Sequence, residues 1–290
     1  MRNLLKTDFI RFLKSKQFLV IAIISVVVGI GMPILFYGLQ EILKYFETDP
    51  SSSGMSFFSA KDFAFSSYGF QMSYTFMGIR GSSVSVVFII TAILFTIIVS
   101  SDFSYGIIRN KIIAGHSRIH IYLSLYITLY VFMFGVALIS SLISFGVAGI
   151  LFDYDTTGKI FLDDFGSLLL GILFGALGYL FFAGFICLFA IGLNKTPLAI
   201  IFTILLGFLG MLVGLLCDGI IEALIQTGSE SNLKDILTFV NCVNIHKSMS
   251  ELNKLDYKSY EIIANLINPI GWAGLVNFLG IFIFNKRDIK

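Results

Sequence analysis

The sequence predicts an all-α membrane protein built as one domain over residues 1–290, with six transmembrane helices. Three observations carry this: 57% of residues are hydrophobic and only 13% charged, mean hydropathy is +0.90, and the apolar residues are gathered into long uninterrupted runs. A soluble domain has about a quarter of its residues charged, whereas a helix crossing the ~30 Å hydrocarbon layer needs about 20 mostly apolar residues. A net charge of +2 argues against bulk nucleic-acid binding.

Residues 1–16 place Leu5, Phe9, Phe12 and Leu13 at helical spacing, with Lys6, Arg11, Lys14 and Lys16 elsewhere around the wheel. Two readings fit: a helix lying in the membrane interface, and a plain basic flank to the first span. Span one is expected over about 18–39, kinked at Pro33. It is too long for a secretory signal and has no small-residue cleavage site after it. Gln40 to Gly81 is polar but rich in phenylalanine and tyrosine, as suits a loop resting on the interface.

Span two covers about 83–100. Its Ser85, Ala92, Thr96 and Ser100 fall near one helical face, where small and hydroxylated side chains permit close helix approach. Span three runs over about 121–152, followed by an acidic loop from Asp153 to Asp164, and span four over about 165–193. Pro197 suits the first turn of span five, about 197–217, whose Thr203, Gly207, Gly210 and Gly214 again share a face. Both small-residue faces read either as intrachain packing or as a dimer seam or conduit wall. Asp218 to Glu261 is the longest polar segment, and span six, about 262–284, is expected to be interrupted at Asn268-Pro269. With both termini inside, the inner segments hold twelve basic and three acidic residues, leaving eight basic and fifteen acidic outside. That distribution obeys the positive-inside rule.

The chain carries no Gly-x-x-x-x-Gly-Lys-Ser/Thr phosphate loop, no nucleophile-base arrangement and no paired carboxylates within the spans. No catalytic residue and no metal site is expected. His116 and His120 lie four apart without a matching Cys or carboxylate, Cys187 reads as a small hydrophobe, and Cys217 and Cys242 are candidates for a disulfide that spacing alone does not settle. Intramembrane Lys or Arg is missing from the runs, against a proton-coupled transporter.

Between spans two and three stands SSDFSYGIIRNKIIAGHSRIHIYL, Ser100 to Leu123, a polar stretch with apolar pairs at Ile107/Ile108 and Ile112/Ile113 and cations at Arg109, Lys111 and Arg118. It predicts a short amphipathic helix, broken at Gly115, with its basic face outward. The order of Asp102, Phe103, Gly106, Ile107, Ile108, Arg109, Ala114, Ser117 and Arg118 resembles the signature of ABC-2 type transporter permeases. There this helix docks on an ATPase; family members often have Glu at the place of Asp102 and Pro where this chain has Gly115-His116. The C-terminal FNKRDIK is similar to the family's Arg-Arg-Asp ending.

The resemblance implies a bacterial plasma-membrane permease with cytoplasmic termini and small outer helices before the last span. It also implies a second permease copy, identical or a sister subunit, and two ABC ATPase chains that hold the ATP and Mg, so that the chain itself is no enzyme and needs no cofactor. Asp102, Phe103, Gly106, Arg109, Lys111 and Arg118 would form the docking element. The cargo it suggests is a cytolytic or antimicrobial peptide, with drugs, lipids or a non-transporting sensor or anchor role as alternatives.

Overall fold

The computed structural model describes residues 1–46, 86–151, 165–193, 196–226, 232–244 and 259–287. These form nine helices and no strand among the described residues: α1 (Arg2–Leu13), α2 (Lys16–Phe46), α3 (Val86–Ser104), α4 (Ile107–Ile113), α5 (Arg118–Leu151), α6 (Phe165–Gly192), α7 (Thr196–Gln226), α8 (Asn232–Val243) and α9 (Ser259–Lys286). Residues 47–85, Ser85 among them, and 152–164, with the acidic loop foreseen at Asp153 to Asp164, lie outside the described residues.

Among the described residues four helices are long and apolar enough to cross a membrane, over Lys16–Leu35, Arg118–Leu151, Gly175–Gly192 and Leu266–Lys286. Ala92–Phe103 and Ile107–Ile113, bent by 48° at the break between them, meet the same measure only as a pair, in the manner of a broken span or a re-entrant loop. The chain is therefore a helical membrane protein. Every helix with 28 or more residues is at least ~40 Å long at 1.5 Å per residue, more than the hydrocarbon layer requires.

Helix α6 is the hub, packing on α3, α5, α7 and α9, while α5 also carries α1 and α2. Burial follows that order: 61% of Gly175–Gly192 is buried, against 24% of Lys16–Leu35 and 22% of Leu266–Lys286. The outer faces of α2 and α9 expose Leu19, Ile23, Val27, Ile267, Leu275 and Phe278. In water such faces would be costly; against acyl chains they are at home.

Close packing is set by small residues and carbonyl contacts. On the α2–α5 seam Ser140 Oγ donates to the Ser25 carbonyl (3.0 Å) and Ser144 Oγ to that of Gly29 (2.8 Å). A Cβ at Gly29 would stand 3.0 Å from the Ser140 carbonyl, so glycine is what lets these backbones meet. Asn277 of α9 faces Gly184 of α6 and accepts from the Tyr122 hydroxyl (3.1 Å), whose ring lies where a Cβ at Gly280 would go.

One expectation is corrected. Pro269 lies inside a continuous α9, so the interruption foreseen at Asn268-Pro269 is not there; Pro33 likewise lies inside α2. A membrane helix tolerates proline because neighbouring groups take up the freed carbonyl.

Candidate functional site

The end of the bundle where α1, α4, the start of α5 and the end of α9 meet gathers most of the side chains that the sequence singles out. Helix α1 buries Leu4, Asp8 and Phe12, one stripe at helical spacing. Phe9 and Phe12 stack on Phe132 of α5 with centroids 4.8 and 5.7 Å away, and Phe18 meets the same ring edge-on at 4.7 Å. Ser15 closes α1 and opens α2, its Oγ donating to the Phe12 carbonyl (2.8 Å) and accepting from the Phe18 N–H (3.2 Å). This aromatic anchor fixes α1 against α5 and carries Asp8 into the interior.

Asp8 is fully buried, and its carboxylate is saturated by three helices. Lys111 Nζ of α4 lies 2.5 Å from Oδ1, Ser124 Oγ of α5 donates to Oδ2 at 2.7 Å, and Arg11 stands 3.3 Å from Oδ1. Arg11 also reaches Asp102 of α3, with Nη2 2.5 Å from Oδ2. Two carboxylates and two cations thus form a chain of alternating charge that ties α1, α3, α4 and α5 together. Burying such charges is tolerable only when they are paired and hydrogen-bonded. Each of the four charges here has an opposite partner, although Arg11 Nη1 is buried without a hydrogen-bond acceptor.

Helix α4 is framed by two backbone breaks. Gly106 has φ 68° and Gly115 φ 86°, the left-handed region that glycine enters without a Cβ penalty. The predicted break at Gly115 is there, and a second one precedes the helix. Between them Ile108 is fully buried, while Arg109 and Asn110 are exposed. Lys111 does not face outward as the basic-face reading had it: Asp8, on an element over a hundred residues earlier, turns it in.

The other docking candidates are engaged within the chain. Arg118 Nη1 donates to the carbonyls of Phe284 (3.2 Å), Asn285 (2.8 Å) and Arg287 (2.7 Å), capping the end of α9, where carbonyls lack intrahelical partners. Phe103 packs edge-on against Phe284 at 6.2 Å and lies beneath the Arg287 guanidinium at 4.7 Å. Arg287 in turn donates to the Ile191 carbonyl of α6, and burial lowers its affinity for the proton from the ordinary value. Arg109 is thus the docking candidate that remains directed outward.

A cleft of about 350 Å³ opens between α1 and α4, with Asn3, Thr7, Asn110, Lys111 and His116 on its polar wall and Leu4 at its base. His120 Nδ1 pairs with Ser117 Oγ at 2.6 Å. No group of three metal-ligating side chains occurs among the described residues.

The described residues of the two small-residue faces make contacts within the chain. Ala92, Thr96 and Ser100 are buried in a bundle where α3 meets α6 and α7; Thr96 donates to the Ala92 carbonyl (2.6 Å) and Thr203 to that of Ala199 (2.8 Å). The side of Gly207 lies outside the described side chains, while Gly210 and Gly214 face Asn244, which donates to the Gly210 carbonyl at 2.8 Å. Cys187 and Cys217 are free and buried, and the Cys242 side chain lies outside the described set.

Asp8 and Ser124 escape sequence reasoning. Asp8 sits among apolar residues on the buried stripe of α1, an i, i+4, i+8 pattern with Leu4 and Phe12. A carboxylate on an apolar stripe is a signal that a cation meets it.

Comparison with known families places the chain plainly: it belongs to the family described as "Protein of unknown function (DUF2705)", which matches residues 18–290. No curated protein matches it.

Proposed function

We propose that this chain is the membrane permease subunit of an ATP-driven exporter of the ABC-2 type. The observation that carries the reading is the short helix α4, set between two left-handed glycines, tied by Lys111 to α1, and leaving Arg109 and Asn110 outward. Such an element is small, stiff and mechanically connected to several long helices, which is what transmitting a partner's motion needs. On this reading α3 and α7 complete six spans with both termini cytoplasmic, in the plasma membrane of a bacterium. ATP and Mg belong to the partner ATPases, and two permease copies pair around the conduit.

The outward apolar helices, and buried charges that among the described residues gather at one end, suit an amphipathic cargo, for which a cytolytic or antimicrobial peptide is proposed. Arg109 makes the direct contact with the ATPase; Lys111, Asp102 and Arg118 hold the docking element in place.

The test is ATP hydrolysis by the chain reconstituted with an ABC ATPase partner, with and without an amphipathic helical peptide. Arg109→Glu is expected to remove peptide-stimulated hydrolysis while leaving the melting temperature of the chain unchanged. A complex that hydrolyses ATP regardless of Arg109 would overturn the docking assignment. Stimulation by drugs or lipids but not by peptides would replace the cargo, and failure of any ATPase to bind would leave a sensor or anchor role instead.

A further inference from the structure

The charges at the α1–α4 end are sorted by sign. Both described carboxylates there, Asp8 and Asp102, are buried and closed on Lys111 and Arg11. Among the described residues the exposed charges that remain at this end are cations: Arg2, Lys6, Lys14, Lys16, Arg109 and Lys286. The described carboxylates Glu41, Asp218, Glu222 and Asp235 stand far along α2, α7 and α8 from this end.

Helix α1 grades these cations into an apolar surface. Its outward stripes run Arg2, Lys6, Leu13 and Asn3, Thr7, Ile10, so that the free end is basic and polar and the exposed apolar residues gather toward α2, where Lys14 and Lys16 flank them. Ile10 (41% exposed) and Leu13 (48%) then continue into Leu19, Val20, Ile23 and Val27, the outward face of α2. The cleft between α1 and α4 opens beside the basic end of that stripe, and no carboxylate lines it.

From this gradient we infer that α1 and the α1–α4 cleft form a binding surface for the headgroups of acidic phospholipids. The acyl chains lie along Ile10, Leu13 and the outward face of α2, and the phosphate sits among Lys6, Arg2 and the donors of Asn3 and Asn110. Apolar contact and cationic contact at one helix are the two contributions by which interfacial helices hold anionic membranes. An acidic protein surface matches the cations but leaves Ile10 and Leu13 in water, which is why lipid is the favoured occupant. The inference rests on the membrane embedding of α2 and not on the permease reading, so each can fail alone.

The experiment uses the full-length chain in nanodiscs of neutral lipid doped with phosphatidylglycerol or phosphatidylcholine, each carrying a photoactivatable group near the headgroup. Crosslinks mapped to residues 1–16 are expected with phosphatidylglycerol well above those with phosphatidylcholine. Removing one surface cation weakens attraction to an anionic leaflet about fivefold, so Arg2→Gln with Lys6→Gln lowers it on the order of 25-fold. Both side chains are exposed, and the melting temperature checks the fold. Should the double variant melt early, Lys6→Gln alone, with Lys6→Arg restoring the labelling, serves instead.

Equal labelling by the two lipids, or undiminished phosphatidylglycerol labelling in the variants, would overturn the assignment. Displacement of the label by soluble glycerol phosphate would also overturn it, in favour of a free-anion site.

Discussion

The two ends of the bundle are joined by different chemistry. At the α1–α4 end, charged side chains from four helices close on one another, with Lys111–Asp8 and Arg11–Asp102 at 2.5 Å, and Arg118 adds three bonds to the end of α9. At the opposite end α8 is held by single side-chain donors rather than by ion pairs among the contacts described: Asn241 donates to the Asp218 carboxylate (2.6 Å), Asn244 to the Gly210 carbonyl (2.8 Å), and Trp272 of α9 to the Val243 carbonyl (2.9 Å). Leu233, Ile236 and Phe239 of α8 face outward. This contrast locates the stiffness of the molecule. Buried charges hold one geometry because any separation leaves an unpaired ion, whereas a side-chain hydrogen bond between helices of a membrane protein averages ~0.6 kcal/mol. The first end is a rigid platform; the second yields at small cost.

The largest expected effect breaks the platform at its centre. Asp8→Ala leaves Lys111 buried without its counter-ion, while Arg11 keeps Asp102, and is expected to destabilise the chain by about 3–5 kcal/mol, read as a fall in melting temperature in detergent. Adding Lys111→Met should recover a large part of that loss, because an apolar replacement of a buried pair is often close to neutral. Loss of less than ~1 kcal/mol in the single variant would put Asp8 in the class of exposed pairs and remove the contrast between the ends.

Next comes the link to the last helix. Arg118→Gln is expected to cost about 1.5–3 kcal/mol, the range for hydrogen bonds to a charged group, and to raise hydrogen exchange at the end of α9 while α1 stays protected. Exchange rising equally in both would show that the ion chain and the cap are one unit.

A smaller effect is expected at the hinge before α4. A side chain at Gly106 has open space around it, so Gly106→Ala meets only the backbone penalty of φ 68°. That penalty is about 1–2 kcal/mol per residue in the left-handed region. Gly115→Ala should cost the same, and a much larger value at either would mean that α4 relocates.

The smallest effect belongs to the opposite end. Asn244→Ala is expected to lose roughly 0.6 kcal/mol, and at most about 1.7. A larger loss would mean that the α7–α8 hairpin is held as firmly as the platform and that the two ends do not differ.

Much of this was legible in one dimension. The apolar runs gave the long helices, Leu5, Phe9 and Phe12 gave α1, and Gly115 announced the end of α4, because helix periodicity and glycine conformation are local properties. Pro269 misled, since proline weakens a helix locally while its neighbours in the bundle allow α9 to run on through it. The basic face of α4 misled for a related reason. A helical wheel ranks residues by polarity and has no means of knowing that a carboxylate waits on the inner side. Arg118 was legible as a cation at the right place in the motif, but its partners are backbone carbonyls more than 160 residues away.

That this is a helical membrane protein, which segments are helices, and that cations crowd one set of loops all follow from the order of residues. Hydrophobicity, helix period and charge are written residue by residue and need no fold to be read. Which of those cations face the outside was settled by packing. Lys111 and Arg11 are engaged by Asp8 and Asp102, and Arg118 by the end of α9, while Arg109, Lys6 and Arg2 remain exposed. A buried charge must find its opposite within about 3 Å, and distances between side chains a hundred residues apart come into being only when the helices pack.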